Sequence, residues 1–222
     1  AEMRERAKQL IRQEDAEVIV HGKAWHEANA YAQSLLSDDA AFIHPFDDPL
    51  LWQGHASLID EVVTSGLKPD AVVLSVGGGG LLAGVCEGLA RNGWADIPVF
   101  AVETEGAASL ALAMAAKAPA ALDAVTSVAT SLGARQVCQQ AFELSQQRPV
   151  ISEVVSDAQA LDACERFLLD HRILVEPACG AALALAYAPS EALKGYRSVL
   201  VVVCGGVTAT VDQIRAWRAN LG

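Results

Sequence analysis

Two apolar runs, DAVVLSV at 70–76 and PVFAVET at 98–104, flank a helical stretch, LLAGVCEGLARNG at 81–93. Strand, helix, strand at that spacing is a βαβ unit, and the two strands it joins run parallel. A parallel sheet is covered on both faces, so such a chain needs a large apolar share. The 222 residues are 52% hydrophobic and 19% charged, which supports a packed core and argues against disorder. The alternation continues. PVISEVVS (149–156) reads as a strand, and SVLVVVCGG (198–206), the most apolar run, reads as a central one. Helices are expected over the alanine-rich 107–118, at 137–146 and 157–170, and in a closing segment at 208–221. ILVEPACGAALALAYA (173–188) reads as a strand end, a turn and a buried helix, and LDAVTSVATSLGARQV (122–137) as an irregular connection.

Upstream of this pattern the rhythm differs. Residues 2–14 read as a helix with Met3, Ala7, Leu10 and Ile11 on one face. AEVIVHG (16–22) reads as a short strand, and WHEANAYAQSLLS (25–37) as a helix with Trp25, Ala28, Ala32 and Leu35 inward. AFIHPF (41–46) reads as another strand, broken by Pro45, and FDDPLLWQGHAS (46–57) as a loop leading to a helix at 56–65.

Charge and cysteine content exclude several classes. The net charge of -11, with no Lys/Arg-rich stretch, argues against a nucleic-acid surface. No apolar run reaches the ~18 residues of a membrane span, and no signal peptide is recognisable. Five cysteines, an odd number without CxxC or zinc-type spacing, suggest reduced thiols and a cytoplasmic setting.

The candidate site begins with Gly77, Gly78, Gly79 and Gly80, between the 70–76 strand and the following helix. Backbone N–H groups at a helix N-terminus, with roughly half a positive charge from the helix dipole, bind anions. Bare glycine lets the backbone approach a phosphate. Two anions fit. Gly78-x-Gly80-x-x-Ala83, with Glu103 ending the next strand, matches a dinucleotide fingerprint. A cofactor phosphate is the alternative. A P-loop is excluded, because no Lys-Ser/Thr pair follows the glycines. A second glycine turn, Cys204-Gly205-Gly206, ends the most apolar strand, and ligands in open α/β sheets collect at the carboxyl ends of strands. Asp47 and Asp48 read as turn and cap residues, His21, His44 and His55 as isolated, Glu176 as a capping residue and Cys179 as packing. His55 is near enough to the FDDP loop to border the site.

SVGGGGLLAG, PFDDPLLWQGHAS, AVETEGA, VEPACGAALA and VVVCGG together resemble the fold-type II pyridoxal-phosphate enzymes of the tryptophan-synthase-β type. The nearest resemblance is to the L-serine dehydratase/L-threonine deaminase group, and it runs over essentially the whole chain. Ser75 before the glycines and Cys204 point to the serine-dehydratase branch. The resemblance implies an open, largely parallel twisted sheet flanked by helices in a cofactor-binding domain at 43–222, with part of a smaller α/β domain at 1–42. It implies that Gly77, Gly78, Gly79, Gly80 and Leu81 hold the phosphate of pyridoxal 5'-phosphate, that Cys204 faces the pyridine nitrogen and that Phe46 lines the pocket. It also implies a monovalent cation, K+ or Na+, at Gly77, Glu103, Ala107, Ser109, Leu132 and Ala134, and a homodimer.

The expected function is dehydration and deamination of L-serine, and of L-threonine, to pyruvate or 2-oxobutanoate and ammonia. The lysine that carries the cofactor in such enzymes has no match among Lys8, Lys23, Lys68, Lys117 and Lys194, and the loop that grips the substrate carboxylate has none either. The chain therefore reads as the C-terminal two-thirds of an enzyme, inactive by itself. The rival readings are a nicotinamide-dependent oxidoreductase and a non-catalytic phosphate or amino-acid binding module.

Overall fold

The computed structural model describes residues 5–22, 25–188, 191–207 and 209–221. Met3 and Lys23 lie outside them. The chain divides into two units, Ala1–His44 and Pro45–Gly222.

In the first unit, α1 (Glu5–Gln13) and α2 (Trp25–Ser34) contain no buried residue. Glu5 pairs with Lys8 at 3.4 Å and Arg12 at 3.1 Å, and His21 stacks on Tyr31 at 4.2 Å. Neither expected strand forms among the described residues of this unit: 16–21 and 41–44 carry no ladder. A short β-run without a pairing partner has nowhere to place its N–H and C=O groups. Leu35, expected inward, is exposed, as are Ile11 and Trp25.

The second unit is an α/β layer structure. Its elements are α3 (Pro49–Thr64), β1 (Ala71–Ser75), α4 (Gly80–Arg91), β2 (Val99–Thr104), α5 (Ser109–Ala116), α6 (Gln139–Gln147), β3 (Val150–Val155), α7 (Asp157–His171), α8 (Pro177–Tyr187), β4 (Val199–Val201) and α9 (Val211–Leu221). The sheet order is β3-β2-β1-β4, with every pairing parallel. Side chains alternate across it as a period of two requires. Ala71, Val73, Phe100 and Val102 pack in one core with α7, α8 and α9. Val72, Leu74, Val99 and Ala101 pack in the other with α3, α4, α5 and α6.

Three expectations change. The run at 198–206 is an edge strand rather than a central one: β4 pairs only with β1, and its three residues are half-buried. β1 and β2 are the strands with two neighbours, and every residue of both is buried. No strand forms at 173–175, which carries no regular structure ahead of α8. The expected FDDPLLWQGHAS loop is mostly helix. Asp48 accepts the N–H of Leu50 at 2.8 Å as N-cap, and Pro49 takes the first helical position, where its missing N–H costs nothing. Gly54 sits inside that helix. α3 lies tight on α4 at two α4 glycines. A Cβ on Gly84 would stand 2.4 Å from His55 Cβ, and one on Gly88 2.7 Å from the Ala56 carbonyl oxygen.

Candidate active site

The sheet order sets the place of the site. From β1 the chain crosses to β2 by α4, on the face carrying Val72 and Leu74. From β4 it goes on to α9, which packs on the opposite face through Ile214 and Trp217. β1 and β4 are neighbours whose exits diverge to opposite faces, so their carboxyl ends flank a topological switch point, where open α/β sheets bind ligands. The glycine run follows β1, and Cys204-Gly205-Gly206 follows β4.

Gly79 has φ +94°, left-handed and open to glycine at no steric cost, and is the N-cap of α4. Each of the other three glycines is bare because protein fills the space. A Cβ on Gly77 would lie 2.9 Å from Leu132 Cα, one on Gly78 2.1 Å from the Phe46 ring, and one on Gly80 2.7 Å from the Phe46 carbonyl oxygen. Phe46 is held in turn by the indole N–H of Trp52, which donates to its carbonyl at 2.8 Å. The Cys138 N–H donates to the Gly78 carbonyl at 2.9 Å. Among the described residues, the N–H groups from Gly77 through Leu82 donate to no protein acceptor. Gly79, Gly80 and Leu82 are nevertheless buried. Consecutive buried N–H groups without partners are rare unless something outside the chain accepts from them. An anionic group with several oxygens fits this run.

Behind the loop, the Ser75 hydroxyl accepts the Ala182 N–H at 3.1 Å and ties β1 to α8. At β4, Glu176 donates its N–H to the Gly205 carbonyl at 3.1 Å, and a Cβ on Gly206 would meet Val175 Cα at 2.5 Å. The cysteine-glycine turn is therefore seated on the N-terminus of α8. There the Cys204 thiol lowers that of Cys179 to about 7, with the N–H groups of Gly205 and Cys204 adding to the effect and burial opposing it. Cys179 and burial in turn raise the Cys204 thiol, so Cys204 stays neutral. Cys179, read from sequence as packing, is thus the partner of Cys204. No local signal announces this, because the contact joins a helix start to a distant strand end.

Glu103 is fully buried, with its two carboxylate oxygens accepting the N–H groups of Leu110 and Ala111 at 2.8 Å each. Burial lifts its pKa to about 7, with the N–H groups at the start of α5 pulling the other way. This overturns the dinucleotide reading: a carboxylate enclosed on a helix N-terminus is not available to a ribose hydroxyl. The hydroxyl of Ser109, beside Glu103, is buried without a hydrogen-bond partner. Ala107 donates its N–H to the Thr104 carbonyl at 2.8 Å, and Ala134 donates to the Leu132 carbonyl at 2.9 Å. The structure thus brings Glu103, Ala107 and Ser109 together at the start of α5, and Gly77 against Leu132, next to Ala134. The irregular connection is pinned by Asp157, which accepts from the Ser127 hydroxyl at 2.5 Å and the Val128 N–H at 2.9 Å. Ser127 in turn accepts from the Thr104 hydroxyl at 2.8 Å.

Of the remaining candidates, Asp48 caps α3, and His55 packs on Gly84 rather than on the glycine loop. The lysines of this unit lie elsewhere. Lys68 precedes β1, at the end of the strand away from the glycine loop, its ammonium 5.8 Å from the Trp94 ring centroid. Lys117 ends α5, and Lys194 pairs with Glu191 at 3.2 Å.

Comparison with known proteins agrees with this geometry. A family model described as pyridoxal-phosphate dependent enzyme matches residues 1–205. A mouse protein named serine dehydratase-like is 48% identical over 94% of this chain and 67% of its own length. The human L-serine dehydratase/L-threonine deaminase is 45% identical over 96% of this chain and 68% of its own. The crystal structure of an L-serine ammonia-lyase from the fungus Rhizomucor miehei superposes with a TM-score of 0.91 at 34% identity, covering 98% of this chain and 71% of that one. The chain thus spans about two thirds of the length of these relatives.

Proposed function

The chain belongs to the pyridoxal-phosphate dependent enzyme family, and on that premise we propose that it carries the cofactor-phosphate site of an ammonia-lyase acting on L-serine, and on L-threonine. The observation that carries the reading is the run of undonated N–H groups from Gly77 through Leu82, set across a switch point from Cys204. Relatives at 42–48% identity named for serine dehydration and threonine deamination supply the reaction.

Pyridoxal phosphate, when bound, supplies an electron-withdrawing π-system for an amino acid that loses its Cα proton. The N–H groups of Gly77, Gly78, Gly79, Gly80 and Leu81 would hold its phosphate, aided by the α4 dipole. Phe46, immobilised by Trp52, keeps that loop rigid and covers one side of it. Cys204 would meet the ring nitrogen. A neutral thiol gives a hydrogen bond there but no counter-charge, which suits loss of a β-hydroxyl better than chemistry needing a fully protonated ring. Glu103, Ser109 and the backbone oxygens of Gly77, Ala107, Leu132 and Ala134 form an all-oxygen donor set. Such a set suits a hard monovalent cation, K+ or Na+, and the partnerless Ser109 hydroxyl supports it. Among the described residues no cluster of three His, Cys, Asp or Glu stands ready for a transition metal.

Among the described residues no helix is long and apolar enough to cross a membrane. The cytoplasmic setting we propose rests on five free thiols, and the homodimer rests on the family resemblance alone.

Thermal unfolding tests the site. Pyridoxal phosphate and inorganic phosphate should both raise the midpoint, by about 2.7 kcal/mol of stability at a hundredfold excess over Kd. NAD should leave it unchanged. A shift with NAD alone would sink the assignment. Pyruvate formation from L-serine by the intact protein tests the reaction, and its absence would reject the lyase reading while leaving the phosphate site in place.

A further inference from the structure

Behind the glycine run stands the start of α6. Cys138, the N-cap of that helix, is buried, and its N–H donates to the Gly78 carbonyl at 2.9 Å. The same turn walls the next glycine. A Cβ on Gly79 would stand 2.4 Å from Ala141 Cβ and 2.7 Å from Val137 Cγ2. The turn is itself anchored. Three residues ahead of Cys138, Arg135 accepts the Leu122 N–H on its carbonyl and donates its Nε–H to the Leu122 carbonyl, each at 2.7 Å. The irregular connection therefore meets the loop twice, with Leu132 behind Gly77 and Cys138 behind Gly78.

Gly78 and Gly79 share a peptide that their own sterics leave unfixed. With no Cβ on either side, its plane can turn over at little cost. The two settings differ for an anion. A trans peptide carries its C=O and N–H on opposite sides, and no cis peptide occurs among the described residues. With the Gly78 carbonyl drawn to Cys138, the Gly79 N–H points away from α6, where it meets no protein acceptor. With the plane turned over, a carbonyl dipole would face the anion instead. We propose that the Cys138 N–H is a positioning group for the phosphate loop: by holding the Gly78 carbonyl, it commits the Gly79 N–H to the bound anion. This rests on the reading of residues 77–81 as the cofactor-phosphate site, and adds the device that sets the loop before a ligand arrives. The thiol of Cys138 plays no part. A buried N–H needs an acceptor, and one at a helix N-cap lies outside the helical ladder, so it can serve a neighbouring loop.

Native amide exchange comes first. Followed by NMR in phosphate-free buffer, the Cys138 amide of the intact protein should exchange about a hundredfold or more slower than an open amide, because its bond precedes the ligand. Saturating inorganic phosphate should then shift the amide resonances of Gly79, Gly80 and Leu81 together. Cys138→Pro removes the N–H from the backbone. The φ of −63° there is already that of proline, and Val137 before it stands outside any helix. In this variant phosphate affinity should fall about ten- to a hundredfold. At saturation the Gly79 amide should lose most of its response, while Gly80 and Leu81 keep theirs. A general loss of packing would weaken all three alike. Cys138→Ala, without the thiol but with the N–H, should restore the affinity. Gln139→Pro, one residue on at the exposed first helical position, should match the parent. Three results overturn the positioning role alone: equal phosphate affinity in the parent and Cys138→Pro, an equal loss across the three amides of the folded variant, or a Cys138 amide that exchanges freely until phosphate is added. No phosphate response in the parent removes the site and the role with it. The exchange measurement needs no substitution, so a poorly folded variant leaves the proposal open to refutation.

Discussion

The ring of Phe46 occupies the space that a side chain on Gly78 would need, its Cγ only 2.1 Å from the Cβ position. A glycine expected to be bare for the sake of a ligand is therefore also bare for the sake of a phenylalanine. Gly78→Ala should dislodge Phe46 and lower stability by about 1–3 kcal/mol, the usual penalty for overpacking. It should also abolish the thermal shift given by inorganic phosphate. Gly54→Ala is the contrast. Nothing lies within 4 Å of its Cβ position in mid-α3, so alanine there should stabilise by about 0.5–1 kcal/mol. Urea unfolding measures both.

Glu103 should give stability a pH dependence opposite to that of an ordinary paired carboxylate. Its folded pKa is raised to about 7 from 4.5. Between those values the folded state holds a proton that the unfolded state has released, so stability falls as pH rises through that window and levels off above it. Glu103→Gln should flatten this fall, and its advantage over the parent should grow with pH to the order of 3 kcal/mol. A bound monovalent cation should reduce that advantage by stabilising the carboxylate. Denaturant titrations at pH 4.5, 6 and 8, with K+ and with a large organic cation in its place, resolve the two effects.

Asp157 pins the irregular connection whose Leu132 backs Gly77. Asp157→Ala would strip an acceptor from the Ser127 hydroxyl and the Val128 N–H. A loss of about 2–3 kcal/mol is expected, as for hydrogen bonds to a charged group. Because Leu132 lies against Gly77, phosphate affinity should fall as well, which isothermal titration would register.

Replacing Lys68, Lys117 or Lys194 singly by Arg should leave the pyridoxal-phosphate thermal shift unchanged. None of the three contacts the glycine loop, and Lys68 lies beyond the far end of β1, a strand of roughly 17 Å. Loss of the shift, or of a Schiff-base absorbance band, in one of these variants would identify a covalent partner within this unit.

The βαβ core was legible because its signals are local. DAVVLSV and PVFAVET carry continuous apolar runs, and a glycine run at a strand end announces an anion site. The rest depended on pairings that sequence does not display. The run at 198–206 reads as central because it is the most apolar. Centrality, however, is decided by neighbours, and β4 has only β1. The PFDD segment reads as loop because Pro and Asp are turn formers, yet Asp48 and Pro49 are equally good at starting a helix. Glu103 fits a ribose-binding position in sequence, but its carboxylate turns inward to α5. Cys179 carries no local mark of its partner at all.

The placement of β4 beside β1 also dictates an order of assembly. β1, α4 and the glycine run leave the ribosome long before residues 199–206, and β2 and β3 can pair on one flank of β1 in the meantime. The other flank stays open until the last strand arrives, and with it Cys204. During synthesis the phosphate loop therefore exists first as a one-walled ledge with a bare strand edge beside it. A nascent chain stalled before β4 offers that edge for wrong pairing, and would be the species that chaperones have most reason to hold.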